Sequence, residues 1–152
     1  MKLTPARKAA LLLCVSLIFL LETYAVPVRQ STLPVPVVVF TGAEYYSANG
    51  KQWVRYKYEV DNREAYPDAL FAPAPALPPC GNNTKASRTW VDIFDSRGKR
   101  LYGFCALGSN DGLANLWFAL EQDEIPPSWI RIVITDRQTG TKVQSEDVAT
   151  VE

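Results

Sequence analysis

The chain contains no histidine, and that absence constrains its chemistry more than any residue present. Ser-His-Asp and Cys-His arrangements need an imidazole to move the nucleophile's proton, and imidazole metal sites need it as a ligand. Those classes are excluded as intrinsic activities. Carboxylates remain. Asp92 with Asp95, or Glu121 with Asp123 and Glu124, are pairs that acid and base catalysis of glycoside cleavage would use. Each also has a plainer reading: Asp95 opens a turn, Asp92 lies on the alternate face of a strand, and residues 121–124 form a solvated loop. Asn110 and Asp111 with Asp123 or Glu124 offer oxygen ligands for calcium, but without EF-hand spacing. The expectation is a non-enzyme with no cofactor and no metal, and a carboxylate-dependent glycoside hydrolase stands as the remote alternative.

Aromatic residues offer a better clue. Trp53, Trp90, Trp117 and Trp129, with Tyr45, Tyr46, Tyr66 and Tyr102, are many large rings for a small domain. Tryptophan and tyrosine bring apolar area with a polar tip, so rings in register on a solvent face stack on sugars or anchor a protein. By alternation, Trp53 and Trp129 fall opposite the core-facing residues of their strands, and Tyr45 and Tyr46 are expected in a loop. These four are the candidate binding residues. Trp90 and Trp117 are expected in the core.

The start of the chain reads as an export signal. Lys2, Arg7 and Lys8 precede an apolar run at 9–21, and small residues at Thr23 and Ala25 allow cleavage after Ala25. The run has 13 residues, against about 20 for a helix spanning a bilayer. A permanent anchor is the weaker reading, and lipidation at Cys14 is disfavoured by Leu11, Leu12 and Leu13 before it. The expectation is a signal peptide at 1–25, one domain at 26–152, and a secreted or periplasmic location without stable membrane insertion.

Removing Lys2, Arg7, Lys8 and Glu22 from totals of 16 and 16 leaves 13 basic and 15 acidic residues, a net charge of −2. Nucleic acid and anionic membrane surfaces call for a concentrated positive field, so neither is expected as a partner. Cys14 leaves with the signal, and Cys80 and Cys105 remain in an oxidising compartment, where they are expected to form a disulfide. No histidine is present to activate a thiolate, and the spacing is not that of a CxxC pair. The triplet Asn82-Asn83-Thr84 makes Asn82 a glycosylation acceptor in a eukaryotic secretory pathway and carries no such meaning in a bacterium.

The elements that position these residues read as strands. The stretch RTWVDIFDSRGKRLYGFCAL (88–107) alternates on either side of Asp95-Ser96-Arg97-Gly98, whose Asp and Gly suit a four-residue hairpin loop. Before it come a first strand at 33–40, opened by Pro34 and Pro36, a polar aromatic loop at 43–51 ending in Asn49-Gly50, and a strand at 52–60. That strand alternates Val54, Tyr56, Tyr58 and Val60 with Arg55, Lys57 and Glu59. Residues 61–68 form a polar turn region, and 69–79 hold too much proline for helix or central strand. After the hairpin, 113–120 fits two patterns, a helical face of Leu113, Leu116, Trp117 and Leu120 or a strand face of Leu116, Phe118 and Leu120; context favours the strand and leaves room for a short helical turn at its start. A second hairpin pairs 129–135 with 141–148 around residues 136–140, its last strand an edge guarded by Glu146 and Asp147.

Six to eight short strands, close turn signals and no long helix argue an all-β fold, an antiparallel β-sandwich. The order of elements resembles an immunoglobulin or fibronectin type III-like sandwich: a proline-flanked first strand, the strands around Tyr56 and Trp90, and the closing hairpin from Ile130 to Val148. Cys80, Trp90 and Cys105 follow the order of antibody-type domains at shorter spacing, so a bond between these cysteines would anchor a loop. The stretch SRTWVDIFD…GKRLYGFCAL also resembles a unit from an uncharacterised family of exported bacterial proteins, and that resemblance implies no activity. The functional expectation is an exported recognition or structural domain that binds a protein partner at the cell envelope or outside the cell. A carbohydrate-binding module built on exposed Trp and Tyr is the alternative.

Overall fold

The computed structural model of the protein describes residues 33–80, 87–105 and 108–150. The segment expected to be an export signal, with Cys14, and the sequon at Asn82 lie outside these residues. Eight strands follow in order: β1 (Val38–Ala48), β2 (Lys51–Val60), β3 (Thr89–Asp95), β4 (Arg100–Cys105), β5 (Leu116–Glu121), β6 (Trp129–Asp136), β7 (Lys142–Gln144) and β8 (Val148–Ala149). One sheet has the order β1-β2-β5; the other has β4-β3-β6-β7, with β8 also on β6. Every strand pair is antiparallel. Among the described residues no helix is long and apolar enough to cross a membrane.

Alternation builds the core. Val54, Tyr56, Tyr58 and Val60 of β2 join Leu116 and Phe118 of β5 on one inner face, and Val91, Ile93, Ile130, Ile132 and Ile134 form the other. Each fully buried aliphatic side chain here contributes about 1.5–3 kcal/mol. Phe118 stacks between Tyr56 and Tyr58, with ring centres 5.1 and 6.0 Å away. Burial pushes the Tyr58 hydroxyl up to about 12, so this core stays uncharged.

The turns are built as their residues dictate. Asn49 and Gly50 both have positive φ, 53° and 74°, the two-residue hairpin geometry that matches strand twist. The strand leading into them is therefore longer than expected. The polar aromatic loop expected at 43–51 is the second half of β1, where Tyr46 opposes Trp53 and Tyr45 opposes Val54. A two-residue turn leaves no room for a loop, and a bulge between Phe40 and Gly42 shifts the pairing register by one residue. In the second sheet, buried Asp95 accepts the N–H groups of Arg97 and Lys99. Asp136 does the same for Gln138 and also takes the Thr139 hydroxyl. The strand expected at 141–148 is instead two short pieces, β7 and β8. Between them Ser145 turns inward and accepts the Ile132 N–H on its hydroxyl.

The polar turn region fastens the lead-in to β1. Asn62 pairs with the backbone on both sides, donating to the Val35 carbonyl and accepting from the Val37 N–H, each at 2.9 Å. The buried Tyr66 donates its hydroxyl to the Pro34 carbonyl at 2.8 Å. The proline-rich crossover is held at its far end by Arg137, which donates to the carbonyls of Pro78 and Ser87.

Candidate recognition surface

The outward side of the three-stranded sheet carries the alternate residues of β2, Trp53, Arg55 and Lys57. Strand pairing places Tyr46 beside Trp53, Glu44 beside Arg55, and Trp117 beside Lys57. The Arg55 guanidinium lies between two rings, 4.8 Å from the centre of Tyr46 and 4.7 Å from that of Trp117. Trp117 continues the stack onto Tyr102 at 4.7 Å, and Tyr102 onto Phe104 at 4.9 Å. Tyr102 and Phe104 belong to β4, the edge strand of the other sheet. The ladder thus crosses from one sheet to the other along one side of the sandwich.

Its electrostatics are loosely closed. Glu44 sits 3.8 Å from Arg55 and 3.6 Å from Lys57, outside good hydrogen-bond geometry. Arg55 Nε is buried and has no partner among the described residues. A donor left unpaired inside a stack costs free energy, which the two ring contacts offset.

The opposite outer face is arranged differently. Trp90 donates its indole N–H to Asp92 Oδ1 at 2.6 Å, and Arg100 Nε donates to the same oxygen at 2.6 Å. Arg100 and Arg137 lie 4.9 and 5.7 Å from the Trp90 ring centre. Further along, Arg131 stacks 5.4 Å from Trp129 and pairs with Asp147. A cleft of about 290 Å³ lies here, lined by Phe94, Ser96, Trp129, Arg131 and Gln144 among others.

Of the four expected binding residues, Tyr46 alone joins the ladder. Trp53 is half-buried on the same outer face, with its N–H on the Ala48 carbonyl at 3.3 Å. Trp129 is half-buried on the other sheet, so Trp53 and Trp129 cannot form one row. Tyr45 points from the core-facing side of β1 and is 70% exposed. Trp90 and Trp117, expected in the core, are both outward and half-buried, because the core positions beside them are Val91 and Ile93, and Leu116 and Phe118.

Cys80 and Cys105, expected to pair, carry no bond between them in this structure. Their thiols are neighbours, and each also has a further partner. Cys105 Sγ donates to the Cys80 carbonyl at 3.3 Å, and Cys80 Sγ accepts Arg137 Nη1 at 2.7 Å. Burial, and then the adjacent Cys80 thiol, push the Cys105 thiol up to about 11.

The carboxylates have structural tasks. Asp92 faces outward and Asp95 inward, so they do not converge. Glu121 pairs with Lys51 and Glu124 accepts the Glu121 N–H, at the rim of a cleft of about 450 Å³. Among the described residues no group of three or more acidic or sulfur side chains could hold a metal ion.

No protein-family model, curated protein or solved structure matches the chain. The functional reading therefore stands on the geometry of these surfaces. Sequence reasoning missed Arg55, Trp117, Tyr102 and Phe104. Alternation already set Arg55 beside Trp53 in the outward series of β2, but nothing local announced that β5 pairs with β2, or that β4 lies alongside β5.

Proposed function

We propose that the protein is an exported, non-catalytic recognition domain that binds a protein partner at the cell envelope or outside the cell through the ladder Tyr46–Arg55–Trp117–Tyr102. The observation that carries this reading is the composition of the ladder and the packing of its members on one another. Trp, Tyr and Arg dominate binding energy at protein interfaces, and here they are stacked on one another before any partner arrives. Preorganised side chains lose less conformational entropy on docking. The ladder also uses both sheets, so its spacing is set by the sandwich and not by a loop. The leader at 1–25 supports export. The strand order supports the immunoglobulin or fibronectin type III-like reading, with the first, second and fifth strands in one sheet and the third, fourth, sixth and seventh in the other.

Photo-crosslinking from position 102, in the source organism's envelope fraction, tests it. Capture of a defined partner that disappears in Arg55→Ala and Trp117→Ala but persists in Trp129→Ala is the expected result. Capture unchanged by the ladder variants would sink the reading.

The cleft at Trp129 favours a second reading, a carbohydrate site. It offers two aromatic rings, an amide, a hydroxyl and a guanidinium, and its volume is near the small end of ligand pockets, about 300 Å³. Retention on a polysaccharide that is lost in Trp129→Ala and kept in Arg55→Ala would favour this reading over the first.

A further inference from the structure

Among the described residues, the outer edge of β1 is open beyond its bulge. Up to Phe40 the strand's inward side chains pack on the core. After Gly42 the inward positions Ala43, Tyr45 and Ser47 are all exposed. The strand runs past the cover of the second sheet, and one of its backbone edges has no strand beside it among the described residues. Proteins guard such edges with proline, lysine or inward charge. Residues 43–48 have none of these; their only charge is Glu44, which sits outward beside Arg55.

We propose that this edge pairs with the same strand of a second copy, antiparallel about a two-fold axis at Tyr45, joining two three-stranded sheets into one of six. The strand is complementary to itself in that register. Tyr45 meets Tyr45 of the second copy, so the two bare rings cover each other, and Ala43 meets Ser47. Glu44 lies beside Tyr46 of the second copy, the ring that carries that copy's Arg55 guanidinium. Its own ion pairs, at 3.6 and 3.8 Å, leave the carboxylate free to take this contact. Sliding the pair by two residues in one direction sets Glu44 against Glu44, which like-charge repulsion disfavours. Sliding it the other way sets Tyr45 against Ser47 and separates the two rings. The assembly goes beyond the recognition reading: it places two ladders on one continuous face.

Sedimentation of the purified, exported protein over a concentration series tests the proposal. The expected result is a monomer that converts to a dimer and to nothing larger, with Tyr45→Lys weakening the association by roughly tenfold or more. Circular dichroism confirms that this exposed-site variant keeps its fold. The register has its own test in a Cys80→Ser, Cys105→Ser background. Residues directly opposite across an antiparallel pair lie about 4.5–5.5 Å apart at Cα, within disulfide reach. Tyr45→Cys is expected to crosslink to itself. Ser47→Cys is expected to crosslink to Ala43→Cys but not to itself. A monomer at every concentration, leaving the edge to an extended strand of another protein, would overturn the proposal. So would a dimer unaffected by Tyr45→Lys, or self-crosslinking of Ser47→Cys. Loss of partner capture in the ladder variants bears on the recognition reading alone, so failure of one leaves the other standing.

Discussion

Arg100 lies across the backbone of Gly103: a Cβ at position 103 would overlap Arg100 Nη2 and sit 2.9 Å from Asp92 Oδ1. The missing side chain is the space through which the guanidinium reaches Asp92 and the Trp90 ring.

Gly103→Ala is expected to expel Arg100 to solvent. The cost is about 1 kcal/mol, the worth of one exposed ion pair and one cation–π contact. In an Arg100→Ala background the same substitution is expected to be close to neutral. Denaturant unfolding of the four chains in the double-mutant cycle measures the difference, and a change in indole emission reports the uncovering of Trp90.

Arg55→Ala removes the middle of the ladder. Two cation–π contacts are lost, each about 0.5–1 kcal/mol at a partly exposed site, while the unpaired Nε disappears with them. A net destabilisation of about 1 kcal/mol is expected, with red-shifted tryptophan emission as Trp117 meets water. Arg55→Lys is expected to recover little, since an ammonium does not lie flat between two rings.

The Arg88–Asp136 pair sets an acid limit. Hydrogen bonds from Arg88 pull the Asp136 carboxyl down, burial pushes it the other way, and Thr139 and Gln138 add to Arg88, leaving it at about 2. An unfolded chain holds an aspartate near about 3.9. The unfolded state therefore binds more protons between these values, and the pair's contribution is complete above about pH 4 and lost as pH falls through about 2. Arg88→Ala is expected to cost about 2 kcal/mol at pH 7 and progressively less toward pH 2. Urea titrations across that range check the slope.

Tyr66→Phe deletes the bond to the Pro34 carbonyl and leaves the ring in place. About 1 kcal/mol of stability is expected to go. Hydrogen exchange at Val37, whose N–H bonds to Asn62, is expected to quicken as the lead-in loosens.

What was legible in the residues was local. Period-two alternation placed the core-facing side chains of β2 and β6, and Asp95 to Gly98 announced the turn between β3 and β4. The helical turn allowed at the start of 113–120 lies earlier, as a short 3-10 turn at Asn110–Ala114 inside what read as a plain turn. Residues 43–48 were misread because Glu44, Ser47 and Ala48 look solvated; the strand is an edge strand, wet on both sides, and its register is enforced by Asn49-Gly50 and not by a buried face. Trp90 and Trp117 were placed in the core on the strength of their size. Strand parity overrules size, since the faces they would need are taken by isoleucine, valine, leucine and phenylalanine. The ladder was illegible for a different reason: its members come from four strands, and their contacts depend on sheet order.

That order has a consequence for how the molecule comes together. β2 meets β1 across a two-residue turn, and β3 meets β4 across a short one, so these hairpins form from neighbours in the chain. β5 reaches β2 only after the crossover and the whole β3–β4 hairpin have been accommodated between them, a distant loop closure that slows folding. The rungs from β1, β2, β4 and β5 therefore meet late, and a newly made chain has no finished surface to offer until its two sheets have closed on each other.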